Sequence, residues 1–400
     1  MSHRWIAAIA ALCFTALCFT GMAAAQTAGP PVRVGMTLAL TGPLAQTSLI
    51  YKIASEQYVE RLNKGKGLLG RPVELVLLDD QSKPDVARSL YERLITVDKV
   101  DLLMGPYATQ NILAAMAVAE RYSKLLVHSS FGVPKLAKYE RQIPVGAMGY
   151  NPDETLPAMA LDALASVGKT PKTVAIVTSK FPSVHFVGQG AREVLKKRGI
   201  KEVLYLEFEF AARDFGPIAA RIREADPDLL FAPTLGLEAN NIIDALKKLN
   251  YTPRNHWYLY PAPGPLALSP DANNALSATA FEPHPPFTND PTKAELAKEF
   301  KERAAKAGMP YSDLDLQGAG QFSSWQILEA AVTATKSLDD KVLTQWIKSN
   351  PIDTMFGRQV FDGPNNYGPS LYKVKQVQNS KWVTVWPAEF AAPGAKLIAR

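Results

Sequence analysis

The amino-acid sequence predicts an α/β protein made of two doubly wound parallel-sheet lobes. Three observations predict this. Short, strongly apolar runs alternate with segments of 3.6-residue periodicity, the pattern of strands covered by helices on both faces. The alternation comes as two separate series, one opening at Val32 and the other near Lys172. The chain of 400 residues is also too long for one core, so two domains are the default.

In the first series "VRVGMTLAL" precedes a helix over roughly 46–63, and "VELVLLDD" precedes "KPDVARSLYERLITV". "DLLMGP" then leads into "TQNILAAMAVAERY", and "KLLVHSS" follows. Ser82 and Asp85 flank Pro84 at one helix start, and Thr109 opens the next. In the second series "KTVAIVTS" leads to "GQGAREVLKKRG", "KEVLYLEFEF" to "DFGPIAARIREA", and "DLLFAPT" to "EANNIIDALKKLN", with "NHWYLYP" closing it. The remainder breaks the pattern. "ALSATAFEP" reads as a strand; the stretches opening at Asp290, Gly320 and Asp339 read as helices. The closing segment, 357–387, reads as a β-hairpin with Gly-Pro and Asn-Asn turn signals. Helices that return to lobe one before an ending in lobe two require several crossings, and therefore a hinge.

Residues 1–25 have the form of a secretory leader: Arg4, the apolar "WIAAIAALCFTALCF", then Ala23-Ala24-Ala25. Both cysteines, Cys13 and Cys18, fall inside it, and Leu17 before Cys18 argues against a lipoprotein. Export without disulfides suits a periplasm and leaves no thiol for catalysis or metal binding. Losing Arg4 lowers the net charge of +6 by one. The remaining basic residues are dispersed among acids, which argues against nucleic acid as a partner. His128, His185, His256 and His284 have no metal-ligand spacing. "HSSFG" lacks a hydrolase elbow, and "GQG" at 188–190 lacks a dinucleotide fingerprint, so no enzyme, metal or cofactor is expected.

The order of "GMTLALTGPLAQ", "NKGKGLLGRPVELVLLDDQSKPDVA", "DLLMGPYATQ", "DFGPIAARIREADPDLLFAP", "GQFSSWQILEAAVTA" and "GRQVFDGPNNYG" resembles the periplasmic solute-binding proteins of ABC transporters. The chain is most similar to the branched-chain amino-acid-binding (Leu/Ile/Val-type) family. The resemblance implies a type I periplasmic-binding fold with three interlobe crossings. It also implies a small ligand trapped in the cleft and delivered to ABC permease subunits by a protein that is not membrane-embedded, here expected to be a monomer. Lobe one is expected over 26–147 plus 282–350, and lobe two over 148–281 plus 351–400.

In this family, carboxylates are held by lobe-one hydroxyls and by backbone amides at helix starts, where unpaired N–H groups carry partial positive charge. The matching positions are Thr47 in the 41–48 stretch, then Tyr107, Ala108 and Thr109, then Ser129 and Ser130. Thr109 also reads as a plain N-cap, and the serines as turn formers. Relatives that bind α-amino acids carry a further hydroxyl where this chain has Phe131-Gly132. They also carry an acid for the ligand ammonium in the loop that here reads "YPAPGPLAL", which includes Pro263 and no acid. An unpaired ammonium in a closed cleft costs several kcal/mol. Aromatic and apolar residues stand instead at or beside loops expected to face the cleft: Tyr107, Phe131, Tyr150, Phe181, Phe186, and Leu235 with Gly236. Each is equally a core residue by pattern. His185 is placed to donate to a carboxylate or phenol, whereas His128 reads as a core residue. The expected ligand is a small carboxylate with an aromatic body, such as a benzoate or phenylpropenoid derivative. A hydrophobic amino acid, or a sensor presenting its ligand to a membrane receptor, is the alternative.

Overall fold

The computed structural model describes residues 29–130, 133–210, 212–235, 237–259 and 264–400. The leader, 1–25, and the site candidates Phe131, Gly236 and Pro263 lie outside the described residues. The first series folds as β1 (Val32–Leu38), α1 (Ala45–Lys64), β2 (Val73–Asp79), α2 (Pro84–Thr96), β3 (Leu102–Met104), α3 (Thr109–Arg121), β4 (Leu126–His128) and β5 (Gln142–Pro144). These strands form one parallel sheet in the order β2-β1-β3-β4-β5. The order reverses beside β1, so the loops at the carboxyl ends of β1 and β3 flank a switch point, where open α/β sheets bind ligands.

The second series follows: α4 (Pro152–Ser166), β6 (Thr173–Ser179), α5 (Pro182–Arg198), β7 (Lys201–Phe208), α6 (Gly216–Ala225), β8 (Leu229–Pro233), α7 (Glu238–Lys248), β9 (Asn255–Leu259) and β10 (Leu276–Thr279). The chain then runs through α8 (Pro291–Lys306) and α9 (Leu316–Thr335), which pack back onto α1 and, for α9, β4, and through α10 (Asp340–Ser349), which packs on α9. A small ribbon of β11 (Ile352–Thr354) and β12 (Gly357–Gln359) rests on α9. The chain closes with β13 (Lys373–Gln378) and β14 (Lys381–Trp386). The second sheet has the order β14-β13-β10-β9-β8-β6-β7. The chain therefore crosses between sheets three times, after β5, after β10 and after β12.

The terminal hairpin expected in lobe two adds an antiparallel edge to this otherwise parallel sheet, β13 pairing antiparallel with both β10 and β14. The terminal hairpin turns at Asn379-Ser380, with φ of 53° and 60°, the geometry a two-residue hairpin loop needs. The Asn365-Asn366 pair, expected as the turn, instead pins a loop: the Asn366 amide donates to the carbonyls of Glu140 and Gln142 beside β5.

Packing follows the sequence periods. Residues of β8 and β9 alternate faces: Phe231 and Trp257 stack at 6.2 Å on one side, while Leu230 and Tyr258 enter the cluster on the other. Helix α9 is buried almost all round, with Phe322 and Trp325 fully enclosed. Gly190 lets α5 approach α4, since a Cβ there would lie 2.2 Å from the Asp153 carbonyl oxygen.

Candidate functional site

Two helices from opposite sheets begin facing each other. Helix α3 starts at Thr109 after β3, and α5 starts at Pro182 after β6. Neither has a side-chain cap or an acid in its first turn. Among the described residues, no carbonyl pairs with the Gln110 and Asn111 N–H groups in the first turn of α3. At α5 Pro182 has no N–H and Val184 donates to the Phe181 carbonyl at 3.0 Å, which leaves the Ser183 N–H. Both ends carry partial positive charge. The two ends touch: Thr109 Oγ1 lies 2.8 Å from Ser183 Oγ, and the Thr109 N–H donates to the same oxygen at 3.4 Å. From the neighbouring strand end, Ser130 Oγ accepts the Ala108 N–H at 3.1 Å. Ala108 holds φ 74° and ψ 140°, a backbone region alanine rarely adopts. Strain of this kind persists where surrounding structure over-determines it, and it concentrates at ligand clamps.

Tyr107, Ala108, Thr109 and Ser130 are thus brought together, all buried. The Tyr107 ring packs 5.2 Å from that of Tyr51, whose hydroxyl donates to Gln317 Oε1 at 2.5 Å. Thr47 stands one turn before Tyr51 on α1. It lines a cavity of about 30 Å³ between the sheets with Ile50, Phe300, Met309, Tyr311 and Asp315, closed on the second-sheet side by Leu237 and Pro265.

The other expected residues sit elsewhere. Thr41, at the head of the 41–48 stretch, donates its hydroxyl to Asp79 at 2.8 Å, and Ser82 stitches that loop from the other side instead of capping α2. Ser129 turns toward Gly320 of α9, its hydroxyl buried without a hydrogen-bond partner. Tyr150 is exposed, its hydroxyl 3.0 Å from Asp362. The His185 ring is engaged by Glu207 at 2.7 Å on β7, the sheet-edge strand. Phe186 lines an open groove of about 440 Å³ with Val133, Leu136 and Gly190. Phe181 is buried against Phe210, ring centroids 4.7 Å apart. Leu235 is buried, its N–H donating to Glu238.

Sequence reasoning missed Glu238. This buried carboxylate opens α7, accepting the Leu235 N–H at 2.7 Å and the Ser179 hydroxyl at 3.0 Å. The second sheet does carry an acid at its carboxyl edge, one loop earlier than the loop searched for it. An acid at the first position of a helix that follows a strand was the available signal. Ser183 carried a comparable one, next to Pro182 at the α5 start.

A family model for the periplasmic binding protein matches residues 31–381. The chain belongs to the periplasmic binding protein family. Its members bind solutes and are not enzymes. An amino acid binding protein from Pseudomonas aeruginosa is 24% identical over 351 residues, 86% of this chain and 89% of that protein. The structure of a leucine binding protein from Thermotoga maritima superposes with a TM-score of 0.76 at 19% identity, covering 88% of this chain and 97% of that one. A solute binding protein of an ABC transporter from R. palustris, in complex with benzoate, superposes at 0.73 with 19% identity, covering 92% and 99%. These likenesses establish the type I periplasmic-binding fold.

Proposed function

We propose that this periplasmic binding protein captures a small carboxylate with an apolar, aromatic body and delivers it to the permease of an ABC importer. The observation that carries the reading is the convergence of the α3 and α5 starts, two uncapped helix ends without acids, around the hydroxyls of Thr109, Ser130 and Ser183. Such ends favour an anion. Accepting the Ala108 N–H leaves the Ser130 proton available for a ligand oxygen. The apolar body would lie against Tyr107, and the cavity of about 30 Å³ beside Thr47, Ile50 and Leu237 would have to widen as the lobes part to take a ring. The relative that binds benzoate has the same fold and supports this ligand class. Export would proceed through the leader 1–25. The closing bodies would be residues 26–147 with 282–359, and 148–281 with 360–400: the expected boundary at 350 moves past β12, because the β11–β12 ribbon rests on α9.

Glu238 favours a second reading, a hydrophobic amino acid whose ammonium meets that carboxylate, in keeping with the amino acid binding relative. One experiment separates the two. Thermal-shift titration with benzoate, hydroxybenzoates, cinnamate, hexanoate and L-leucine is expected to show stabilisation by the aromatic acids. With Glu238→Gln, benzoate binding should change less than threefold, whereas leucine binding would fall at least tenfold if the amine is read there. Stabilisation by leucine and not by aromatic acids rejects the first reading.

A further inference from the structure

We infer that Thr109 and Ser183 form a closure latch between the lobes, and that the Thr109 side chain serves binding as a positioning residue instead of touching the ligand. This rests on the carboxylate-binding reading above and reassigns one residue within it. The family resemblance alone placed the Thr109 hydroxyl on the ligand. Its geometry places it on the other lobe.

Thr109 is fully buried and Ser183 nearly so, although 74 residues and two different sheets separate them. Both polar groups of Thr109 engage the one Ser183 oxygen, the hydroxyl at 2.8 Å and the backbone N–H at 3.4 Å. A serine oxygen has two lone pairs and can accept both. The lobe-one half is set in advance: the left-handed Ala108 and its bond to Ser130 aim the α3 start at lobe two. The lobe-two half is also fixed, because Pro182 at the first helical position orients the α5 start. With the Thr109 hydroxyl given to Ser183, the ligand carboxylate is left to Ser130 and the other first-turn donors of α3.

Ligand enters the open form, where the two helix starts are apart, so the latch does not exist in the encounter. It stabilises only the closed complex and therefore acts on escape. The test uses Thr109→Val, Ser183→Ala and the double variant, with benzoate and L-leucine as probes in stopped-flow and calorimetric titration. Each single variant should raise koff and Kd roughly 3- to 10-fold with kon unchanged, the size of one net hydrogen bond. The double variant should be no worse than either single one, because the partners share one interaction. Loss of binding by Thr109→Val beside a silent Ser183→Ala, or additive losses, would overturn the latch and return Thr109 to the ligand.

If the unaltered protein binds neither probe, the ligand reading fails, and the latch is then tested without ligand. Spin labels at Ser89→Cys on α2 and Glu224→Cys on α6 report lobe separation, unobscured by native thiols in a chain starting at residue 26. Ser183→Ala should shift the distance distribution outward. An unchanged distribution sinks the latch.

Discussion

Replacing Lys375 with methionine should destabilise the protein more than any surface charge change. Its ammonium lies 2.6 Å from Glu282 Oε1, both side chains only 1% exposed, and 4.9 Å from the centre of the Trp382 ring. Asp315, also buried, caps α9 by accepting the N–H groups of Gln317 and Gly318 at 2.9 and 3.1 Å, and the Lys375 charge acts on it. The three residues come from different places: the second crossing, β13 and the start of α9. Lys375 is thus the cation for two enclosed carboxylates at the hinge. Breaking a buried pair by removing one partner costs about 3–5 kcal/mol, which in a protein of this size lowers Tm by about 4–6 °C. Lys375→Met with Glu282→Met should recover only the share of that loss due to Glu282, since Asp315 stays buried without its cation.

The pH dependence has a definite sign. Burial already raises the Asp315 pKa above its ordinary 3.8, and Lys375 pulls it back. Without Lys375 it rises further, so the native state binds more protons than the unfolded state above pH 3.8, and stability falls as pH rises through that window. The variant should therefore lose more at pH 8 than at pH 4.5. Urea midpoints at both pH values, read by tryptophan fluorescence, provide the check. A loss under 1 kcal/mol, or one that grows toward acid, would refute the account of this cluster.

Three further outcomes follow from the same structure. Burial pushes both His128 and His256 down to about 4, so the unfolded chain binds more protons between pH 4 and 6.5. Stability held above pH 6.5 is lost as pH falls through that window, about 3 kcal/mol per histidine; His256→Gln should flatten the profile, and an unchanged slope counts against it. Ala108→Gly removes the cost of a positive φ and should stabilise by about 1 kcal/mol, visible as a raised urea midpoint; a lowered midpoint contradicts the strain. Gly190→Val must move α5 off the Asp153 carbonyl and should cost about 2–3 kcal/mol, measured by thermal unfolding, with an unchanged Tm as the refuting result.

Much of the fold was legible because its determinants are local. The helix expected over 46–63 is α1 at Ala45–Lys64, and "NHWYLYP" contains β9 at Asn255–Leu259. The turn of the last hairpin was misplaced because two asparagine pairings compete, and Asn366 is held by carbonyls 224 and 226 residues away. Tyr107, Ala108, Thr109 and Ser130 were legible as candidates because each follows a strand at the carboxyl edge of the sheet, and the structure brings them together. His185 was assigned to the cleft as a loop residue, but it lies in the first turn of α5, because that helix begins at Pro182. Its side chain points along α5 to Glu207 on β7, an orientation that depends on which strand becomes the sheet edge.

The sequence by itself determined the alternation of strand and helix and the two series, but not every helix start: α5 begins at Pro182 where Gly188 was expected, α9 at Leu316 where Gly320 was expected, and α4 (Pro152–Ser166) was not read. Hydrophobic period and backbone punctuation act over a few residues and need no distant partner. Only the tertiary structure decided which hydroxyl meets Thr109, which acid stands at the start of α7 facing Ser179, and which lysine neutralises Glu282. Those pairings join residues 59 to 93 positions apart. Thr109 and Ser183 meet between the two sheets, Ser179 and Glu238 at neighbouring strand ends of the second sheet, and Glu282 meets Lys375 after the chain has left that sheet and returned, so none can be read from a local pattern.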